Sequence, residues 1–282
     1  RETCRLIWKL RQSTVSFGRT LLMGILNITP DSFFDGGRYL DPEAASAQAL
    51  RLVEEGADIL DLGAESTRPG SLPVTTQEEL ERLLPVLKRV RQEVGVPISI
   101  DTIRPEVAKE CLEAGADIIN DVSGLKRSGP EMAKVVKQFG AGLVLMHSRG
   151  TPGTMPTLTR YNDVVTEVMN ELRESIQLAT DAGIEREKLV VDPGLGFAKT
   201  AEQNLEILKK ISAFHALGFP VLTGPSQKAF IGKVTGRGTK DRTFGTAVCV
   251  ATCVRAGVQL LRVHEVGAMR DVVLMTEAIK GD

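Results

Sequence analysis

Ile25-Leu26-Asn27-Ile28-Thr29-Pro30-Asp31-Ser32-Phe33 is an apolar run that stops in Asn, Thr, Asp and Ser, and seven later runs stop in the same way. In order they are GADILDLGAEST (56–67), VPISIDT (96–102), ADIINDVSG (116–124), GLVLMHSRG (142–150), KLVVDPGLGF (188–197), FPVLTGPSQK (219–228) and LLRVHE (260–265). A helix-like segment follows each. The runs are rich in Val, Ile and Leu with little alternation, as parallel strands buried on both faces require. Eight such units predict a (β/α)8 barrel. A doubly wound open sheet is the competing topology, but there reactive side chains gather at one switch point rather than at every strand tip.

Outside the barrel proper, residues 4–10 and 13–17 read as two short strands, a β-hairpin closing the barrel bottom. Asp41-Pro42 supplies an N-cap and a first-turn proline for the first helix. The phrase Gly-Ala-Asp at 56–58 returns at 115–117 and marks the joint between helix and strand. Helices are expected over 75–93, 104–114, 129–139, 161–182, 202–217, 241–257 and 266–280. The longest loops, 29–40, 64–74 and 147–160, are crowded with glycine and proline, and long connections of this kind are binding loops or lids.

At 282 residues a barrel of this class forms one domain around one core. The 35 basic and 36 acidic residues leave a formal charge of −1, with no field to attract nucleic acid or an anionic membrane. No apolar run approaches the roughly 20 residues of a membrane span, and a soluble, cytoplasmic protein is expected. Cys4, Cys111, Cys249 and Cys253 form no CxxC pair and read as packed, reduced thiols.

If the strands close into a barrel, one face collects Asn27, Asp61, Asp101, Asn120, Asp121, His147, Asp192, Ser226, Lys228, Arg262 and His264. Each alone also reads as a helix N-cap or an Asx-turn. Arg262 and His264 share one side of a strand, and with Asn27 on the neighbouring strand they make a phosphate-sized site; an Arg262 ion pair with Glu265 or Asp271 is the structural alternative. With Asp31 and Asp35 close by, Mg²⁺ bridging a di- or triphosphate is reasonable. Asp192 and Asn120 suit a flat heterocycle that presents adjacent ring N–H and amino donors, with Met146 and Phe197 covering its faces. His215, inside a helical stretch, reads as structural.

The segments MGILNITPDSFFDGGRYLD, DLGAESTRPGS, SIDT, INDVSG, MHSRGTPGTM, DPGLGFAKTAEQN, GPSQKAFIG and RVHEV, in that order, resemble the dihydropteroate synthases, the folate-pathway enzymes that sulfonamides inhibit. The match spans about Leu21 to Lys280. The resemblance implies a barrel that joins 6-hydroxymethyl-7,8-dihydropterin diphosphate to 4-aminobenzoate in an SN1-like transfer, and a homodimer. It implies a pterin pocket of Asp101, Asn120 and Asp192 with Lys228, and a diphosphate site of Asn27, Arg262 and His264 with Mg²⁺ beside Asn27. It further implies an aminobenzoate site of Thr67, Arg68, Pro69, Phe197, Ser226 and Lys228, and closure of the first two loops around Asp35, Thr67 and Arg68. The catalytic set so implied is Asp101, Lys228, Arg262, His264 and Asp35.

One departure stands out. The family usually has Ser-Arg-Lys-Ser-Phe where this chain has Ser226-Gln227-Lys228-Ala229-Phe230, preceded by Pro225. Gln227 supplies no fixed charge. Either it points outward, or aminobenzoate and sulfonamide affinity is altered. A pterin-dependent methyltransferase and a weakened or non-catalytic pterin-binding paralogue are the alternatives.

Overall fold

The computed structural model describes residues 6–30, 32–35, 39–67 and 70–281. Strands β1 (Ile7–Lys9) and β2 (Thr14–Ser16) form the antiparallel N-terminal hairpin, and β3 (Leu21–Asn27) opens the main sheet. A two-residue ladder of β4 (Phe34–Asp35) and β5 (Tyr39–Leu40) lies in the first long loop, which the sequence reading left irregular. Then follow α1 (Pro42–Glu54), β6 (Ile59–Gly63), α2 (Thr76–Glu93), β7 (Ile98–Asp101), α3 (Pro105–Glu113), β8 (Ile118–Asp121), α4 (Gly129–Phe139) and β9 (Gly142–Met146). The second half comprises α5 (Val164–Asp181), β10 (Leu189–Asp192), α6 (Ala201–Lys209), β11 (Leu222–Thr223), α7 (Ala229–Thr235), α8 (Thr243–Arg255), β12 (Leu260–Val263) and α9 (Val266–Lys280).

Eight strands pair in parallel in the order β10-β9-β8-β7-β6-β3-β12-β11. A single parallel bridge between Val191 and Val221 joins the two ends and closes the ring. The closure is thin because Pro220 precedes β11 and Gly224-Pro225 follows it, and proline cannot donate to a ladder.

Local sequence explains the punctuation. Asp41 accepts the Ala44 N–H and caps α1, with Pro42 in its first turn. Thr75 with Glu78, and Thr200 with Gln203, form reciprocal capping boxes for α2 and α6.

Two expected elements differ. The helix expected over 202–217 stops at Lys209; Lys210 leaves helical geometry and residues Ile211–Leu217 continue as tighter 3₁₀ turns. In addition α7, a stretch to which the sequence assigns no element, is a seven-residue helix that buries Phe230 and Ile231 and ends at Gly236 in left-handed geometry.

Side chains alternate along each strand, and this alternation builds the barrel interior in layers. Met23, Ile59, Ile118, Val144, Val190, Leu222 and Leu260 fill the lower barrel together with Trp8 and Leu10 of the hairpin. Trp8 is fully buried and donates Nε1–H to the Lys188 carbonyl at 2.8 Å, so the hairpin does close the bottom. Gly142 makes room for it, since a Cβ there would lie 2.6 Å from Leu10 and 3.0 Å from the Trp8 indole nitrogen. Two residues further along the same strands stand Ile25, Asp61, Asn120, Met146, Asp192, Gly224 and Arg262. The interior thus turns from apolar to polar within one repeat. The outward faces, among them Leu26, Leu62 and Leu145, pack under the helices in a second, larger core.

Candidate active site

A cavity with about 320 Å³ of open space lies at the C-terminal mouth, lined by Thr67, Asp101, Asn120, Val122, Met146, Asp192, Leu195, Phe197, Gly224, Lys228 and Arg262. Eight of the residues nominated from sequence therefore meet at one place. Asn27, half-buried at the end of β3, stands outside this lining. Ser226 and His264 do as well, and they bond to each other: Ser226 Oγ is 2.8 Å from His264 Nδ1 and accepts the His264 N–H at 3.1 Å. Asp31, Arg68 and Pro69 lie outside the described residues, as does the side chain of Asp35.

The floor is an ionic network. Arg262 donates Nε–H to Asp61 Oδ2 at 2.6 Å and reaches Asp101 Oδ2 at 3.4 Å. The pairing with Glu265 or Asp271 entertained as the structural alternative is replaced by this inward one, and the Glu265 carboxylate instead accepts from the Thr243 hydroxyl. Burial, and after it the nearby Asp61 carboxylate, push the Asp101 carboxyl up to about 7, with Arg262 pulling the other way. In the sequence Asp61 is only one strand tip among several. It is fully buried and organises the floor, since Asn120 Nδ2 also donates to its Oδ2 at 3.3 Å.

Two acceptors on this floor, Asn120 Oδ1 and Asp61 Oδ1, have no hydrogen-bond partner among the described residues. A buried unpaired acceptor costs about 1–3 kcal/mol, so a ligand that brings a donor to Asn120 recovers part of that cost. Asp192, 4% exposed, accepts the Gly194 N–H at 2.8 Å, and burial pushes its carboxyl up to about 6. Above it the Lys228 ammonium lies 4.5 Å from the centre of the Phe197 ring.

The other strand tips serve their own loops. Asp121 accepts from Ser123 N (2.9 Å), Ser123 Oγ (2.7 Å), Leu125 N (3.1 Å) and the Ser128 hydroxyl, the Asx-type use weighed against a site role. His147 is buried behind the cavity, with Nε2 2.9 Å from Glu171 Oε2 and Nδ1 2.9 Å from Lys199 Nζ. His215 Nε2 donates to the Ala256 carbonyl at 2.7 Å, the structural use expected of it. Cys111, Cys249 and Cys253 are buried free thiols, as expected; Cys4 lies outside the described residues.

The second loop, which carries Thr67, is tied at both ends by one residue. Arg104 donates to Glu65 Oε2 at 2.6 Å, to Glu79 Oε1 at 2.5 Å and to the Val74 carbonyl.

Comparison with known proteins agrees with this geometry. The model of the pterin binding enzyme family matches residues 23–264. A dihydropteroate synthase of Synechocystis sp. is 45% identical over 262 residues, 93% of this chain and 90% of that protein. The structure of Xanthomonas albilineans dihydropteroate synthase with 4-aminobenzoic acid superposes with a TM-score of 0.91 at 40% identity, covering 99% of both chains. The same enzyme in complex with 7,8-dihydropteroate gives 0.88 at 38% identity, covering 98% of this chain and 99% of that one. A polar barrel mouth of this make-up, matched in sequence and shape over nearly the whole length, makes the chain a member of the pterin-binding enzyme family, among the dihydropteroate synthases.

Proposed function

We propose that this chain, acting as a single domain of residues 1–282, condenses 6-hydroxymethyl-7,8-dihydropterin diphosphate with 4-aminobenzoate to give 7,8-dihydropteroate and diphosphate. The observation that carries the reading is the unpaired Asn120 Oδ1 on the floor of a cavity walled by Asp101, Asp192 and Phe197. A flat ring with adjacent N–H and amino donors pairs with the Asp192 carboxylate and satisfies Asn120, and Met146 covers one ring face.

The nucleophile is an aromatic amine, neutral at pH 7, so the transfer needs no strong general base. What needs stabilising is the positive charge left on the pterin methylene and the charge of the departing diphosphate. Asp101, ionised when a cation develops beside it, serves the first. Arg262 and His264 serve the second. Thr67, Arg68, Pro69, Phe197, Ser226 and Lys228 hold the aminobenzoate, and closure of the first two loops with Asp35 excludes water that would capture the cation.

Asn27 offers one neutral oxygen at the end of β3, and among the described residues no group of three His, Cys, Asp or Glu could hold a metal ion. Such a donor set fits Mg²⁺, which takes few protein ligands and completes its shell with water and phosphate oxygens. Asn27 would hold it, and the ion would offset charge on the leaving diphosphate.

The reading includes a homodimer. Phe244 (88% exposed) and Val248 lie four residues apart on α8, and Met275 and Ile279 repeat that spacing on α9, so two neighbouring helices present apolar side chains to water. It also includes a cytoplasmic setting, in keeping with unpaired thiols; among the described residues no helix is long and apolar enough to cross a membrane.

The test is diphosphate release from the pterin diphosphate with Mg²⁺ and 4-aminobenzoate, beside the Gln227→Arg variant. Release by the unaltered chain supports a working synthase. Release by the variant alone means a weakened enzyme, and release by neither returns the chain to a pterin-binding protein without turnover. A methyltransferase would bind methyltetrahydrofolate without Mg²⁺ dependence; the high identity to synthases over nearly all of both chains argues against it.

A further inference from the structure

Behind the cavity lies a buried cation that the transfer reaction does not use. Lys199 is 9% exposed, and all three of its N–H groups are placed: Nζ lies 2.9 Å from His147 Nδ1, 2.9 Å from the Gly194 carbonyl and 2.8 Å from the Phe197 carbonyl. The acceptors come from two strand tips. His147 directly follows β9, and Gly194 and Phe197 belong to the loop that leaves β10 after Asp192 and supplies Leu195 and Phe197 to the cavity.

The histidine's state follows from its partners. Nδ1 faces an ammonium and therefore accepts, so the ring proton sits on Nε2 and is donated to Glu171. Burial, and after it the Lys199 charge, hold the ring neutral, its pKa pushed down to about 3.

The loop needs such a tie. Ala198 adopts φ +52° and Gly194 φ +73°, and a Cβ at Gly194 would lie 1.9 Å from the His147 carbonyl oxygen. The chain is therefore pressed against β9 in left-handed geometry that an L-residue such as Ala198 adopts at a cost.

We propose that the Lys199 ammonium, seated on neutral His147, is the positioning element of the pterin pocket: it cross-links the 192–199 loop to β9 and thereby sets Asp192 and Phe197 for binding. The proposal rests on the synthase reading for its substrate. Its chemistry is a count of donors. An ammonium serves three acceptors, whereas a neutral amine has two N–H groups and a lone pair, so deprotonation strands one acceptor and turns a lone pair towards it. Burial brings the Lys199 pKa down to about 7, with Asp192 and Glu171 opposing and Arg149 and Lys228 assisting, so the change falls in an accessible range.

The first experiment needs no substrate: the amide shifts of Gly194 and Gly196 are followed by NMR from pH 6 to 9 in the unaltered chain and in Lys199→Arg, whose charge persists throughout. A shared midpoint near 7 that vanishes in Lys199→Arg is expected, leaving only the step near 6 of Asp192, whose carboxylate holds the Gly194 N–H. No step near 7 in the unaltered chain, or a step near 7 that survives the substitution and so belongs to another group such as Asp101, overturns the proposal.

The second is steady-state kinetics of the unaltered chain and Lys199→Met. The KM for pterin diphosphate in the unaltered chain should rise towards tenfold per pH unit above 7 while kcat stays within about twofold, and Lys199→Met should show a KM at least tenfold higher with no pH slope. A KM profile in Lys199→Met equal to that of the unaltered chain, or a loss in kcat alone, overturns it. Should Lys199→Met not fold, the titration of the unaltered chain and Lys199→Arg still decides the question.

Discussion

Arg262 Nε stands 2.6 Å from Asp61 Oδ2, across 201 positions of sequence, with the Asp61 side chain fully buried. Breaking a buried ion pair by removing one partner costs about 3–5 kcal/mol. Arg262 keeps Asp101 as a second partner, so Asp61→Asn should cost about 2–3 kcal/mol, a lower value than for a fully stranded charge. For a chain of this size that is a fall in Tm of about 4–10 °C. Because the Asp61 charge is the second cause of the raised Asp101 pKa, the same variant should bring the Asp101 carboxyl down from about 7, which carboxyl-carbon NMR reads directly. An unchanged Asp101 titration would mean that the two carboxylates do not sense one another.

Asp192 should trade stability for binding. Its pKa in the folded protein, raised to about 6 by burial, lies above the 3.8 of an exposed aspartate. The folded state therefore holds the proton more tightly, and the carboxylate destabilises the fold fully above pH 6, the penalty fading as pH falls towards 4. Asp192→Asn keeps an acceptor for the Gly194 N–H, so at pH 7.5 it should stabilise the ligand-free protein by about 1–3 kcal/mol, from about 1.4 kcal/mol per pKa unit. Thermal melts should show that gain shrinking by pH 5. Calorimetry should show pterin affinity reduced at least 100-fold at pH 7.5, because charge-assisted bonds contribute about 1.5–3 kcal/mol each. Unchanged affinity would remove Asp192 from the pocket.

How far the sequence reaches is clear from Asp121 and Asp192. Both end a buried strand and both precede a glycine-containing loop, so composition treats them alike. They part because Ser123 and Ser128 consume the Asp121 oxygens, whereas Asp192 spends Oδ1 on Gly194 and still lines the cavity. The barrel itself was legible because eight apolar runs with polar ends leave few other ways to bury both strand faces. Asp61 as an organiser was not, since its partner Arg262 lies 201 positions away on β12, beyond the neighbouring strand β3, a relation that only the strand order of the folded sheet reveals. The helix α7 was hidden because Ala229–Thr235 is too short to show a helical period, and its stop at Gly236 reads equally well as a loop.

The apolar faces of α8 and α9 should carry self-association. Phe244 and Val248 are 88% and 67% exposed, so replacing them removes little from the protein's own core. Phe244→Glu combined with Val248→Glu places two charges where a partner's apolar surface would have to desolvate them. Light scattering after gel filtration should give twice the chain mass for the unaltered protein and the monomer mass for the double variant, with Tm of the monomer little changed. A double variant that keeps the dimer mass would move the interface elsewhere.

Gln227 is held at φ +56°, left-handed backbone that costs an L-residue about 1–2 kcal/mol. Two bonds keep it there: its N–H donates to Thr246 Oγ1 at 3.1 Å, and its carbonyl accepts from Arg242 Nη1 at 2.9 Å. Both use the backbone and survive any side chain. Gln227→Gly should relieve the strain while giving back about 0.5–1 kcal/mol of unfolded-state entropy, for a net gain of about 0.5–1 kcal/mol and a Tm about 1–4 °C higher. Gln227→Arg keeps the same backbone penalty, so its melting should match the unaltered chain, and only the KM for 4-aminobenzoate should respond if the side chain faces that substrate. A Gln227→Arg variant with unchanged KM for 4-aminobenzoate and for the pterin substrate would show that the side chain points away from the site.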